Sequence, residues 1–143
     1  MRILALDPGT VRIGVAVSDA LGMIAHGRPH VPAADPGKAL REIERIAREE
    51  EVSEVVVGFP LQMDGTEGIA AAKVRSFAET LRARLGGLPV TLRDERLTTA
   101  RAVRALDEAG ASRRVRREST DRIAAQLLLQ GLLDERRAGA ALS

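Results

Sequence analysis

The chain has 143 residues, 45% of them hydrophobic and 29% charged, a size that fits one domain with a real core and leaves no room for a second. It contains no cysteine, which excludes disulfides and thiolate metal sites. With two phenylalanines and no tryptophan or tyrosine, it also lacks an aromatic platform for stacking single-stranded bases. The net charge is +2 and no apolar run approaches the roughly 18 residues of a membrane helix, so we expect a soluble, cytoplasmic protein.

Three short strands are predicted at the start of the chain. Apolar runs cover Ile3 to Leu6, Ile13 to Val17 and, more loosely, Met23 to Val31. The turn residues Pro8-Gly9-Thr10 and Asp19 to Gly22 separate these runs. We therefore expect three strands joined by tight hairpin turns.

A helix and two further strands are predicted next. Asp35 followed by Pro36 is a favourable helix start, and apolar residues at helical spacing continue to about Glu50. The segment Glu54 to Gly58 contains three consecutive valines, which suits a strand buried on both faces in a parallel sheet. Val90 to Arg93 is predicted as the fifth strand.

Three more helices are expected. Thr66 is predicted to cap a helix that ends at Gly86-Gly87. Thr98 is predicted to cap another helix, which Gly110 stops. A basic loop then leads to a last helix from about Thr120 to Arg137.

The order of these elements predicts an α/β fold with a mixed five-stranded sheet and helices on both faces. Each crossover helix returns the chain parallel to the first strand, whereas the hairpins are antiparallel. We expect one domain over residues 1–138 and a flexible tail over residues 139–143.

The candidate functional residues follow the carboxyl ends of the parallel strands, where α/β sheets collect ligands. Asp7 ends the first strand and Asp94-Glu95 the fifth, while Asp121 opens the last helix. Three carboxylates brought together repel one another, by roughly 4 kcal/mol for a pair about 4 Å apart at an effective dielectric near 20. A hard dication such as Mg²⁺ or Mn²⁺ would relieve this repulsion, and the chain has only two histidines for an imidazole-rich zinc site.

Each of these acidic residues also has a simpler explanation. Asp7 precedes a proline and would suit a turn, and Asp121 would complement a helix dipole. Asp94 and Glu95 are adjacent, so in an extended strand they point to opposite faces and only one reaches the site, unless the chain turns there. Asp64-Gly65-Thr66 is equally explained as a turn followed by a helix cap.

Four arginines crowd the stretch before Asp121 and are a candidate phosphate contact, because arginine keeps its charge and binds phosphate through two donors. The alternative is a solvated surface loop. The four residues are Arg113, Arg114, Arg116 and Arg117.

Four separated segments, in order along nearly the whole chain, resemble one known family. They are Leu4-Ala5-Leu6-Asp7-Pro8-Gly9-Thr10 with Gly14-Val15-Ala16, Gly58-Phe59-Pro60-Leu61 with Asp64-Gly65-Thr66, Asp94-Glu95-Arg96-Leu97-Thr98-Thr99, and Asp121 with Ala124-Ala125 and Leu129-Gln130. This pattern resembles the YqgF family, also called RuvX, of bacterial ribonuclease H-like proteins described as Holliday junction resolvases and as pre-16S rRNA nucleases.

The resemblance implies a ribonuclease H-like fold and a metal-dependent nuclease. It implies that the catalytic and metal-binding acids are Asp7, Glu95 and Asp121, and it thus selects Glu95 over Asp94. It also implies that the loop from Phe59 to Thr66 faces the substrate. The substrate-binding candidates are Thr10, Asp64, Thr66, Arg96, Thr98, Arg113, Arg114, Arg116 and Arg117. One departure is that the approach to Asp121, Val115 to Thr120, is basic but longer than the Lys-Gly-Lys-like stretch expected.

Two hypotheses concern the nucleic-acid partner. Processing of the 5′ end of pre-16S rRNA is favoured, which would bring association with ribosome precursors. Holliday junction resolution is the alternative, and it would require a homodimer, since two symmetric cuts need paired sites.

Two other classes of function remain open. Asp7-Pro8-Gly9-Thr10 with Gly14 and Asp19 also resembles the phosphate loop of sugar kinases and actin-like ATPases, although those proteins close nucleotide between two domains. The remaining alternative is a nucleic-acid-binding scaffold without catalysis. An acidic cluster that binds no metal would carry repulsion without any gain, which argues against it.

Overall fold

The structure is a computed structural model that describes residues 1–97 and 113–142, with side chains described for 1–96 and 123–139. Five strands form one sheet: β1 (Arg2–Pro8), β2 (Arg12–Ser18), β3 (Ala25–Pro32), β4 (Val52–Phe59) and β5 (Val90–Asp94). The helices are α1 (Pro36–Glu49), α2 (Ile69–Leu85) and α3 (Arg113–Leu142).

The sheet is mixed, with the strand order β3-β2-β1-β4-β5. Strand β2 runs antiparallel to both β1 and β3, while β4 runs parallel to both β1 and β5. The crossover helices α1 and α2 connect the parallel strands, as expected for such connections. The predicted mixed five-stranded sheet is therefore confirmed.

Local signals explain where α1 begins. Asp35 is the N-cap, and its side chain accepts a hydrogen bond from the backbone N–H of Lys38 at 3.2 Å. Pro36 occupies the first turn, where a missing N–H costs nothing. The buried residues of α1, among them Leu40, Ile43 and Ala47, form one helical stripe against the sheet.

The sheet has a core on each face. One core contains the buried side chains of α1 and α2 with Leu4, Leu6 and Val55 of the strands. We call the opposite side the α3 face; its cluster comprises Ile3, Ala5, Ala16, Ala25, Val56, Ala125, Leu129 and Leu133. The small alanines let α3 approach the sheet closely, and helices on both faces are confirmed.

Polar contacts fasten the second half of α3 to the sheet. Gln130 accepts from the backbone N–H of Ala25 at 2.9 Å, at the start of the edge strand β3. Arg136 forms an ion pair with Glu54 on β4 at 2.5 Å. These contacts join the helix that carries position 121 to strands on both sides of β1.

Three predicted helix boundaries are wrong. Thr66 does not cap α2, whose N-cap is Gly68, because the Thr66 side chain bonds within the preceding loop. The basic stretch over residues 113–117 is the beginning of α3 and not a loop, and α3 continues to Leu142 rather than ending near Arg137. Arginine is a good helix former, so the high positive charge of this stretch did not indicate a loop.

The helix predicted between Thr98 and Gly110 lies outside the described residues. Within the described part of the chain, no helix is both long and apolar enough to cross a membrane.

Candidate active site

Asp7 lies on β1 at the carboxyl end of the parallel strands and is almost fully buried, with 2% of its surface exposed. Ile3 and Ala5, which precede it at two-residue intervals, belong to the cluster on the α3 face. Because side chains alternate between the two faces of a strand, Asp7 belongs to the same face. Its carboxylate therefore lies directly beyond the apolar core under α3.

Glu95 follows β5 and begins a short 3₁₀ turn, Glu95–Leu97. It is buried, with 8% exposed. Its Oε1 atom lies 2.6 Å from the position that a Cβ atom would occupy on Gly58 of β4. Gly58 follows Val56 by two residues and so belongs to the α3 face as well. The Glu95 carboxylate consequently rests against β4, on the face that holds Asp7.

The sheet register brings these two carboxylates to one edge. Leu6 is opposite Val57 in the β1–β4 pair, and Phe59 is opposite Asp94 in the β4–β5 pair. Asp7 and Glu95 are each the next residue along. Two predicted catalytic acids thus occupy the same face and the same end of the sheet, on β1 and after β5, with β4 between them.

Asp94 is oriented differently from Glu95. Its Oδ1 atom accepts a hydrogen bond from the backbone N–H of Arg96 at 2.9 Å. The sheet pairing ends at Asp94, and the chain turns immediately afterwards. Val90 and Leu92 of β5 pack in the core beneath α1 and α2, so alternation places Asp94 on that face and Glu95 on the α3 face.

Asp121 lies in α3, and its side chain is outside those described. Ala125, one helical turn later, packs against β1 and β2 residues on the α3 face. Among the side chains that the structure describes, no three acidic or histidine groups converge into a metal-binding set.

Asp7 and Glu95 fit a hard divalent cation. Two buried carboxylates on one face repel each other, and a divalent cation between them would compensate that repulsion. Both histidines, His26 and His30, lie on β3, which β2 separates from β1. The described groups at this edge that could bind a metal are therefore carboxylate oxygens. Mg²⁺ and Mn²⁺ prefer such oxygen ligands, whereas zinc favours sites rich in imidazole.

The loop between β4 and α2, residues 60–68, is organised around Thr66. The Thr66 hydroxyl donates to Asp64 at 2.6 Å or to Gln62 at 2.9 Å, and its backbone N–H donates to Asp64 at 3.0 Å. The hydrogen bond from the Thr66 side chain, more than any other contact, holds the pKa of Asp64 below its ordinary value. Gly65 takes a positive φ of 88°, which completes the turn. The predicted turn is confirmed.

Arg96 ties this loop to the end of β5. Its guanidinium donates to both carboxylate oxygens of Asp94, the shortest contact being 2.9 Å, and to the carbonyl oxygen of Met63 at 3.3 Å. The hydrogen bond to Asp94 raises the pKa of Arg96, and the nearby charge of Asp64 adds to the effect. Arg96 was predicted to bind substrate; its contacts here are with the protein.

Arg75 of α2 holds the same loop from the other side. It donates to Glu67 at 2.9 Å, and its guanidinium lies 4.8 Å from the centre of the Phe59 ring. Arg75 thereby joins the end of β4 to the last part of the loop. The sequence motifs did not indicate this role of Arg75.

The other predicted substrate contacts are partly described. Thr10 is exposed in the tight turn between β1 and β2, where the Gly9 N–H donates to the Arg12 carbonyl oxygen at 2.8 Å. Thr98 lies outside the described residues. The four clustered arginines belong to the first turns of α3, and their side chains are not described.

Similarity to solved structures identifies the fold. RuvC of Thermus thermophilus in complex with a Holliday junction substrate matches with a TM-score of 0.57 and 15% identity, over 96% of each chain. A second structure of Thermus thermophilus RuvC has a TM-score of 0.56, covering 96% of this chain and 97% of that one. The sheet and its flanking helices are thus of the ribonuclease H-like class, and the predicted fold is confirmed.

Sequence comparisons identify the family. Residues 1–135 match the model of the RuvX family, described as Holliday junction resolvase. A protein named as a pre-16S rRNA nuclease in Myxococcus xanthus is 50% identical over 137 residues, covering 96% of this chain and 90% of the relative. One of the same name in Moorella thermoacetica is 47% identical over 134 residues, covering 94% and 95%. The chain belongs to the RuvX family, which confirms the resemblance seen in its motifs.

Proposed function

We propose that this protein is a divalent-metal-dependent endonuclease that processes the 5′ end of pre-16S rRNA. The single observation that carries the catalytic part is the burial of Asp7 and Glu95 on one face of the sheet, at the carboxyl ends of β1 and β5, which both pair with β4. Membership of the RuvX family and the names of its relatives support hydrolysis of nucleic-acid phosphodiester bonds.

Asp7, Glu95 and Asp121 are the proposed metal ligands and catalytic residues. Asp121 completes the set because it precedes Ala125 by four residues, and helical positions four apart share one side of a helix. These residues would hold a Mg²⁺ or Mn²⁺ ion, which would supply an activated water and charge stabilisation for the leaving oxygen of a phosphodiester. The apolar cluster behind Asp7 shields this edge from bulk solvent, which strengthens each electrostatic contact made there.

The exposed groups around the edge bind the nucleic-acid backbone in this proposal. Thr10 and the loop from Phe59 to Thr66 border the carboxylates, and Arg96 fixes that loop relative to β5. The arginines at the beginning of α3 supply phosphate contacts that are independent of sequence.

The name shared by the relatives favours pre-16S rRNA as substrate. Relatives at 41–50% identity, over 94–96% of this chain, carry that name. Acting on a ribosomal RNA precursor would associate the protein with ribosome precursors in the cytoplasm. Holliday junction resolution is the second candidate because the family description names it, and it would require a two-fold homodimer.

A side-by-side cleavage assay tests the proposal. Purified protein with Mn²⁺ is given a precursor rRNA leader or a four-way DNA junction. We expect a cut at a defined position in the leader, and symmetric cuts in the junction alone would transfer the assignment to the second candidate. Cleavage should also occur with Mg²⁺ and be poor with Ca²⁺, whose loose coordination shell does not fix catalytic geometry. Equal rates in EDTA would contradict metal dependence.

Asp7→Asn supplies the matched test of the site. It should abolish cleavage while the affinity for nucleic acid is retained, because the amide keeps the shape of the side chain and loses its charge. Asp134→Asn, on the exposed side of α3, is the control and should cleave like the wild type. Full activity of Asp7→Asn would exclude Asp7 as a metal ligand.

A further inference from the structure

Gly58 lies where β4 passes beneath the Glu95 carboxylate. The position of a Cβ atom on Gly58 is 2.6 Å from Oε1, 3.2 Å from Cγ and 3.3 Å from Cδ of Glu95. Real Cβ atoms essentially never approach another atom within 3.0 Å. A side chain on residue 58 and the present position of the Glu95 carboxylate are therefore incompatible.

The backbone does not explain this glycine. Among the described residues, the glycines with positive φ are Gly22, Gly65, Gly86 and Gly87, and Gly58 is not one of them. A glycine inside a strand also weakens it, because it adds no packing and loses more entropy on folding. What the position requires is space on the α3 face, directly beside the buried Glu95.

We propose that Gly58 is a positioning residue for Glu95. Its missing side chain leaves the space in which the Glu95 carboxylate rests, on the face and at the end of the sheet that also hold Asp7. This inference depends on the proposed role of Glu95 as a metal ligand, and it assigns a function to a residue that contacts neither metal nor substrate.

The size of the effect follows from the distances. Ordinary van der Waals contact begins at 3.4 Å, so an alanine at position 58 would push Oε1 away by about 0.8 Å. Metal sites tolerate about 0.2 Å in ligand distance. Because Glu95 is buried, the carboxylate cannot retreat freely into solvent. We expect Gly58→Ala to lower Mn²⁺ affinity roughly tenfold to hundredfold, the range for groups that orient metal ligands.

Isothermal titration of the full chain with Mn²⁺ tests the role of Gly58 through a double-mutant cycle. The variants are Gly58→Ala, Glu95→Asp and the two combined. Glu95→Asp alone should weaken Mn²⁺ binding, because its carboxylate is one methylene short. In the double variant the shorter side chain leaves room for the alanine methyl group. Its affinity should therefore equal that of Glu95→Asp. Gly37→Ala is the matched control, since its Cβ position has neighbours only at 3.5 and 3.6 Å.

The outcomes separate this inference from the proposed function. The role of Gly58 would be overturned if Gly58→Ala bound Mn²⁺ with wild-type affinity. It would also be overturned if the fold-loss of Mn²⁺ affinity in the double variant equalled the product of the two single-variant losses. If Gly58→Ala fails to fold, the double variant should fold and bind Mn²⁺ like Glu95→Asp, and failure of both to fold would also overturn it. Unchanged Mn²⁺ binding in Glu95→Gln would instead reject the proposed metal site itself.

Discussion

Replacing Ser18 by alanine should destabilise the protein measurably, because the Ser18 hydroxyl satisfies a buried amide at the start of β1. The Ile3 backbone N–H donates to Ser18 Oγ at 2.8 Å. Ser18 is 2% exposed and Ile3 4% exposed, so water does not readily replace the lost acceptor. The pairing of β1 with β4 also changes register between Arg2 and Ile3, which makes a side-chain acceptor useful at this point.

The expected magnitude is that of an unsatisfied buried donor, about 1–3 kcal/mol. For a chain of this length, that corresponds to a fall in Tm of about 3–10 °C. Urea unfolding should show a lower midpoint with an unchanged m-value, since the surface exposed on unfolding is the same. Well below Tm, the folded variant should keep wild-type nuclease activity, because Ser18 lies far from the carboxyl edge of the sheet.

Ser53→Ala is the control for Ser18→Ala. The Ser53 hydroxyl donates to the Arg2 carbonyl oxygen at 3.2 Å, but this contact is exposed. Its loss should change the stability by no more than about 0.5 kcal/mol. Equal urea midpoints for Ser18→Ala and Ser53→Ala would refute the argument from burial.

Three further predictions concern other parts of the chain. Glu51 has a left-handed φ of 52° after the end of α1, so Glu51→Gly should raise the free energy of unfolding by about 1 kcal/mol and with it the urea midpoint. Glu49→Gly, at the last residue of α1, should lower the midpoint, and a shift of the same sign in both variants would contradict this. Thr66→Ala should raise the pKa of Asp64, measured by carboxyl NMR. In the wild type, the hydrogen bonds of the Asp64 carboxylate are fully present above the ordinary aspartate pKa of 3.8 and are lost as the pH falls through the lower pKa of the folded protein. An unchanged pKa of Asp64 in Thr66→Ala would exclude Thr66 as the cause of the lowered pKa. Replacing the four clustered arginines by alanine should reduce the slope of log affinity against log salt by about 3.6 on duplex nucleic acid, whereas an unchanged slope would assign them to solvated surface.

The sheet was predictable because its local signals agree. Apolar runs, turn residues and the Asp35-Pro36 helix start coincide with the observed elements, which differ mainly in length. Strand β1, for example, was expected over Ile3 to Leu6 and covers Arg2–Pro8. Hydrophobic periodicity reports which residues are buried, and the polar residues that continue a strand at its ends carry no such signal.

The start of α2 was predicted wrongly because a threonine side chain can either cap a helix or bond within a loop. Thr66 has the chemistry of a helix cap, but its hydroxyl bonds to Asp64 and Gln62 within the loop. Whether a threonine caps a helix or closes a loop depends on the path of the chain, which sequence alone does not supply.

The acidic edge was only partly predictable from the residues themselves. The positions of Asp7 and Glu95 at strand ends follow from the pattern, but strand geometry did not choose between Asp94 and Glu95. The structure resolves their orientations, because Val90 and Leu92 show which face of β5 Asp94 shares and Glu95 rests beside Gly58 on the other face. The importance of Gly58 had one sequence signal, a glycine that follows three valines, yet its neighbour Glu95 is 37 positions away and identifiable only in three dimensions.

A diffraction structure of crystals grown with Mn²⁺, using the anomalous signal of the metal, would examine the acidic edge directly. We expect a Mn²⁺ peak with carboxylate oxygens of Asp7, Glu95 and Asp121 at about 2.0–2.2 Å, typical of small divalent cations. Asp121 turned away from Asp7 and Glu95, or Mn²⁺ bound elsewhere with this edge empty, would contradict a shared three-carboxylate site.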